Sequence, residues 1–109
     1  MLDMLRSDNF SAHINEPFLL TPVVWGQSYD PALHGPLRTL VLIEVEDLAQ
    51  VEPSAPRAAP FSLIFREASR TVLPQQIYSL HHETMGQLDL FLVPVGYDSE
   101  GVLYQAIFN

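Results

Sequence analysis

His81, His82 and Glu83 stand in succession and form the densest run of metal-capable, proton-transferring side chains in the chain. Adjacent residues of a strand point to opposite faces, and zinc sites usually gather four convergent ligands, so the two imidazoles do not readily grip one ion. A metal reading has to bring His34 or His13 from elsewhere to join His82 and Glu83. The simpler reading ends an apolar stripe at His82, with a hydrogen bond into the following loop, and sets His81 against Asp89 across a hairpin. His81 with Asp89 has the form of a base and its orienting carboxylate. Ser79 shares that face, but at a rise of ~3.3 Å per residue it lies about 7 Å along the strand. His81, His82 and Asp89 are therefore a possible polar site, while the expectation is no catalytic residue, no bound metal and no cofactor.

Other reaction centres are excluded by residue type. The chain has no Cys, which removes a thiolate zinc site, a disulfide framework and a Cys nucleophile together. Its glycines, at 26, 35, 86, 96 and 101, fit no phosphate-cradling pattern, and Lys is absent. No Ser sits between close glycines, so the elbow of serine hydrolases is missing. Asp98-Ser99-Glu100-Gly101 offers oxygen ligands without the spacing of a calcium loop and reads as a solvated turn. Asn9-Phe10-Ser11 matches the glycosylation triplet, a match common by chance.

The charge balance narrows the partners. Thirteen acidic residues stand against five basic ones, all Arg, for a formal charge of −8. Nucleic acids and anionic membranes both favour clustered cationic groups, so neither is an expected partner. The first residues carry Asp3, Arg6 and Asp8 and lack the apolar core of a secretion signal. No apolar run reaches the ~18 residues of a membrane helix. Synthesis in the cytoplasm is expected, with later incorporation into a particle left open. Glu44 and Glu46 could face a basic partner, or guard a strand against edge pairing. Trp25 and Tyr29, in a loop rich in Pro and Gly, have the character of interface anchors. Phe108 closes the last strand and joins these as a candidate partner contact.

The elements that must position these residues are extended ones. Asp8 is placed to cap a short helix within an N-terminal arm, residues 1–16, ended at Glu16-Pro17. Phe18 to Trp25 reads as a strand interrupted by Pro22, which cannot donate to a ladder, and Gly26 to Pro36 as loop. From Leu37 to Leu48, alternation puts Val41, Ile43 and Val45 on one face and Glu44 and Glu46 on the other, with Leu40 and Leu42 on the Glu side. Residues 49–60 form a loop rich in Pro and Ala, and Phe61, Leu63 and Phe65 share a face of the next strand. Residues 77–82 and 88–95 form a hairpin around a five-residue loop, in a register that pairs Tyr78 with Leu92, Leu80 with Leu90 and His81 with Asp89. Gly96 to Gly101 reads as loop, and Val102 to Phe108 as the closing strand. The fold expected is all-β: a small antiparallel barrel or sandwich of about six strands with one short N-terminal helix, in one domain over 1–109.

Several stretches carry a family likeness. Phe61 to Arg66, Leu73 to His82, Gly86 to Gly96 and Tyr104 to Asn109 together resemble a family of small bacterial proteins catalogued as a domain of unknown function. The likeness is strong over the C-terminal half, moderate over Leu37 to Leu48, and limited to outline before residue 36. It supplies no catalytic residues. Members of that family are often encoded near proteins with phage tail-collar domains, which implies an accessory role in a tail-like or fibre-like assembly. The function expected is thus a non-enzymatic structural or protein-interaction module, binding a tail-collar-like protein or its own copies through an edge at Phe18 to Trp25 or Val102 to Asn109. The alternatives are a small-ligand or metal-binding barrel, with His82, Glu83 and His34 at its mouth, and a small hydrolase using His81 and Asp89.

Overall fold

The computed structural model describes residues 6–21, 28, 30–34, 37–48, 60–69 and 71–108, with the backbone alone at 31 and 34. Trp25, Tyr29, the residues following Pro22 in the first expected strand, and the loop at 49–59 lie outside them. The elements run α1 (Ser7–Ser11), β1 (Pro17–Leu20), α2 (Pro31–His34), β2 (Arg38–Asp47), β3 (Phe61–Glu67), β4 (Gln76–His82), β5 (Gly86–Asp98) and β6 (Gly101–Phe108). All six strands pair antiparallel, and the sheet closes on itself in the order β1-β2-β3-β6-β5-β4. The expected antiparallel all-β class holds, with α2 an additional helical turn inside the stretch read as loop.

Period-two alternation builds the interior. Phe61, Leu63 and Phe65 of β3 point inward beside Tyr78 and Leu80 of β4, Leu90 and Leu92 of β5, and Tyr104 and Ala106 of β6. Each fully buried Leu or Phe stabilises the fold by roughly 1.5–3 kcal/mol relative to exposure.

Two bulges correct the simple alternation. In β2 the register shifts between Leu42 and Glu44, so Ile43 is the extra residue and the phase resets. Leu40, Leu42 and Val45 all reach the core side, and Glu44 and Glu46 stay exposed outside. This overturns the expected grouping of Leu40 and Leu42 with the glutamates. In β5 the shift falls between Pro94 and Gly96, where an imino nitrogen cannot donate to a ladder.

The hairpin of β4 and β5 corrects the expected register. Tyr78 pairs with Leu90, Leu80 with Leu88, Ser79 with Asp89, His81 with Gln87 and His82 with Gly86. The turn is Glu83 to Met85, followed by Gly86 at φ +77°, a left-handed backbone that glycine adopts without penalty. A shift of two residues keeps every side chain on its face, so the apolar stripe survives while each cross-strand partner changes.

The ring has two dressed ends. At one, α1 packs against β2 and seats Phe10, fully buried, against Phe61 and Phe108, with ring centroids 5.9 and 5.6 Å away. Arg6, and not Asp8, is the N-cap residue: the Asn9 Oδ1 accepts the Arg6 N–H at 2.7 Å, while Asp8 sits in the first turn. At the other end, residues 71–75 cross the opening and bury Leu73. The Leu73 N–H donates to the Tyr104 hydroxyl (2.9 Å), the Tyr78 hydroxyl donates to Pro74 O (2.7 Å), and Arg38 donates to Thr71 O (3.2 Å).

Candidate functional site

Three titratable side chains, His13, Glu16 and His82, meet where the turn after α1, the entry to β1 and the end of β4 come together. Asn15 turns the chain there with φ +74°, a left-handed conformation that Asn tolerates better than most residues. The β1 and β2 ladder then runs one step beyond Pro17, with the Asn15 N–H donating to Leu42 O (2.7 Å) and the Leu42 N–H donating to Glu16 O (3.3 Å). That fixes the Glu16 side chain over the end of β4.

Glu16 Oε1 lies 2.7 Å from His82 Nε2 and 2.8 Å from His13 Nδ1. The two imidazole N–H groups hold the Glu16 carboxyl below the usual carboxylate range, the bond from His13 first and that from His82 second. His82 is buried, with its ring centroid 4.7 Å from that of Phe18 and 4.5 Å from that of His13.

The remaining nitrogen of His82 decides its tautomer. The backbone N–H groups of Thr84 and Met85 donate to Nδ1 at 3.1 and 3.2 Å, so Nδ1 is an acceptor. The ring proton sits on Nε2 and is donated to Glu16. His82 thus caps its own turn, as the simpler sequence reading expected.

This assignment bears on the metal reading. His13, Glu16 and His82 offer ligand atoms within 4.8 Å of one another. Ligation through His82 Nε2 would move the ring proton to Nδ1, against two amide hydrogens. Metal-bound imidazoles instead donate their second N–H to an acceptor. Of the expected metal partners, His13 joins the cluster, Glu83 is exposed in the turn, and the His34 side chain lies outside the described residues.

The base-and-carboxylate reading is corrected by the hairpin register. His81 is exposed opposite Gln87, and Asp89 instead accepts from the Ser79 hydroxyl at 2.8 Å and from Gln87 Nε2 at 3.3 Å. Ser79, and not His81, is thus the cross-strand partner of Asp89.

Two arginines make ion pairs toward the other end. Arg38 Nη1 reaches both oxygens of buried Glu67 at 3.2 and 3.3 Å, yet burial still pushes the Glu67 carboxyl above its ordinary value, against the pull of Arg38. Arg66 holds Asp98 Oδ2 at 2.6 Å, which keeps that carboxyl low. Asp98 Oδ1 accepts the Glu100 N–H at 2.9 Å, so the expected solvated turn is a two-residue turn, Ser99-Glu100, at the tip of a longer hairpin.

That hairpin outruns its neighbour. β4 begins at Gln76 opposite Leu92, so among the described pairings Val93 to Asp98 bond to β6 alone. Beside this stretch lies an open groove of about 630 Å³, between Ser69 and Val72 on one wall and Tyr97, Glu100 and Val102 on the other. Tyr97 is 84% exposed, and Phe91 and Val95 are each 50% exposed. The two edges expected to be free are partly covered among the described residues: Leu19 and Leu20 pair with β4 as well as β2, and Val102 to Gln105 of β6 lie between β3 and β5. Phe108 is partly buried and its ring stacks on Phe61, at 4.6 Å and 7°.

Comparison with known proteins adds one fact to this geometry. A family model described as Domain of unknown function (DUF6916) matches residues 5–108. The chain belongs to that family. No curated protein and no solved structure matches it. The family description carries no activity, so within this domain of unknown function the residues themselves must argue the role. Nothing in the sequence marked the projecting half of β5, because its length depends on where β4 begins. The join of Glu16 to His82, 66 residues apart, has no local signal either.

Proposed function

We propose that the chain is a non-enzymatic interaction module that engages a protein partner through the projecting β5 and β6 hairpin. The observation that carries this reading is the exposed pair Val95 and Tyr97 on the projecting part of β5, which among the described pairings bonds to β6 alone, with exposed Phe91 nearby where β4 still pairs. Exposed aromatic anchors on a rigid strand favour association, and an unpaired strand margin offers backbone groups to a partner. Pro94 lacks an N–H and the bulge at Val95 breaks the ladder, so side chains carry more of the contact than strand addition does. The ring interior occupied by buried Phe, Leu and Tyr side chains supports this reading over a ligand-enclosing barrel. The register that sets Asp89 opposite Ser79 and His81 opposite Gln87, in place of the direct His81 and Asp89 pairing a hydrolase reading used, favours it over a hydrolase.

The family resemblance extends the proposal to an accessory component of a tail-like or fibre-like assembly, with a tail-collar-like protein as partner. Light scattering of the purified chain, alone and mixed with the product of its neighbouring gene, tests it. The expected result is association that Val95→Glu combined with Tyr97→Glu weakens at least about tenfold, with the circular dichroism unchanged. A monomer in both samples would overturn it.

A further inference from the structure

We propose that His13, Glu16 and His82 form an acid-sensitive latch that holds the N-terminal segment across one end of the ring and releases it when both imidazoles are protonated. The reasoning starts from proton capacity. Each imidazole donates one N–H to the same oxygen, Glu16 Oε1. A proton added to His13 goes to Nε2 and completes an ion pair with Glu16, which the latch accommodates. A proton added to His82 has one place to go, Nδ1, where the amide hydrogens of Thr84 and Met85 already point. Accepting it breaks the turn cap.

The second proton also changes the charge count. Two cationic rings, with centroids 4.5 Å apart, then share one carboxylate. Phe18 of β1 covers the His82 ring, Thr84 and Met85 of the turn face its Nδ1, and His13 and Glu16 face it from the N-terminal segment. Glu83, next in the turn, is exposed. Among the described residues, Glu16 is the carboxylate that both His13 and His82 hydrogen-bond, so two cationic rings would share it. What the latch restrains is α1 with its Phe10 plug. Its release uncovers Phe10, Phe61 and Phe108, a second apolar surface at the end of the ring away from the β5 and β6 tip.

Amide hydrogen exchange by NMR, corrected for the intrinsic pH dependence of exchange, tests the latch by comparing samples at pH about 7.5 and about 5. Protection at Asn15, Leu42, Thr84 and Met85 is expected to fall at least about tenfold at the lower pH, while Ile64 and Gln105 in the β3 and β6 ladder keep theirs. His82→Asn retains a side-chain acceptor for the turn amides and does not titrate, so its protection at these sites is expected to be independent of pH over the same range. Glu16→Gln keeps an acceptor oxygen but removes the counter-charge, and is expected to move release to higher pH. It decides the matter even where His82→Asn does not fold. Unchanged protection at the four amides, loss in step with Ile64 and Gln105, or an unshifted Glu16→Gln profile would each overturn the proposal.

Discussion

At the scale of single residues, the positions that matter most are those where a side chain has no alternative. Gly101 has φ +152°, and a Cβ there would lie 2.1 Å from Glu67 O. Gly101→Ala must therefore push β6 away from the end of β3. A loss of about 2 kcal/mol or more is expected, because both backbone strain and a main-chain clash oppose the change. Thermal melts would register it as a drop of about 8 °C or more for a domain of this size.

Glu67 is the buried carboxylate whose charge is least at home. Its raised pKa means that the folded chain binds the proton more tightly than the unfolded chain. Its contribution to stability is thus full below the ordinary Glu value and is lost as pH rises through the raised one. Glu67→Gln should flatten the decline in urea midpoint that sets in above about pH 4. Arg38→Met should steepen that decline and lower stability near neutrality by about 2–3 kcal/mol, since the carboxylate is then buried without its cation. Denaturant titrations of the three proteins across pH check both signs.

At the scale of elements, the crossing segment 71–75 works as a strap held by the side chains of Arg38, Tyr78 and Tyr104 reaching out of the ring. Leu73 supplies its apolar weight. Leu73→Ala is expected to cost about 2–4 kcal/mol and to loosen the strap ahead of the sheet, which accelerated exchange at the Leu73 amide would reveal. Phe61, Leu63 and Phe65 in β3 were legible as a buried face because period-two spacing is a property of the chain alone. The hairpin of β4 and β5 was legible in its faces but not in its partners. Leu88, Leu90 and Leu92 repeat the same residue at alternate positions, so registers two residues apart bury the same apolar face. The left-handed Gly86 and the capping of the turn by His82 choose between them, and neither can be weighed without coordinates. The bulge at Ile43 was hidden for a related reason: one inserted residue reverses the phase, and Leu42-Ile43-Glu44 gives no sign of it.

At the scale of the whole molecule, closure joins segments far apart in sequence, β1 at Pro17–Leu20 to β4 at Gln76–His82. Folding dominated by such pairings is slow, in the range of milliseconds to seconds. The all-β class could be read from composition and alternation, whereas ring closure could not, since it is a statement about which strands find each other. The candidate site divides the same way. His82 was singled out by its neighbours in sequence, but Glu16, its partner, became visible through the fold alone. Among the described residues, no helix is long and apolar enough to cross a membrane.

Among the described residues, the ladder between β1 and β4 has two residue pairs, Leu19 with His81 and Leu20 with Leu80, continued by the Thr21 N–H donating to Ser79 O, against seven pairs between β3 and β6. Such a thin seam is where the wall should part first under heat or denaturant. Once parted, the molecule becomes a curled ribbon with two bare margins, able to stitch onto its copies. Irreversible clumping on warming should accordingly depend on protein concentration, and tightening that seam should slow it more than filling any gap in the core.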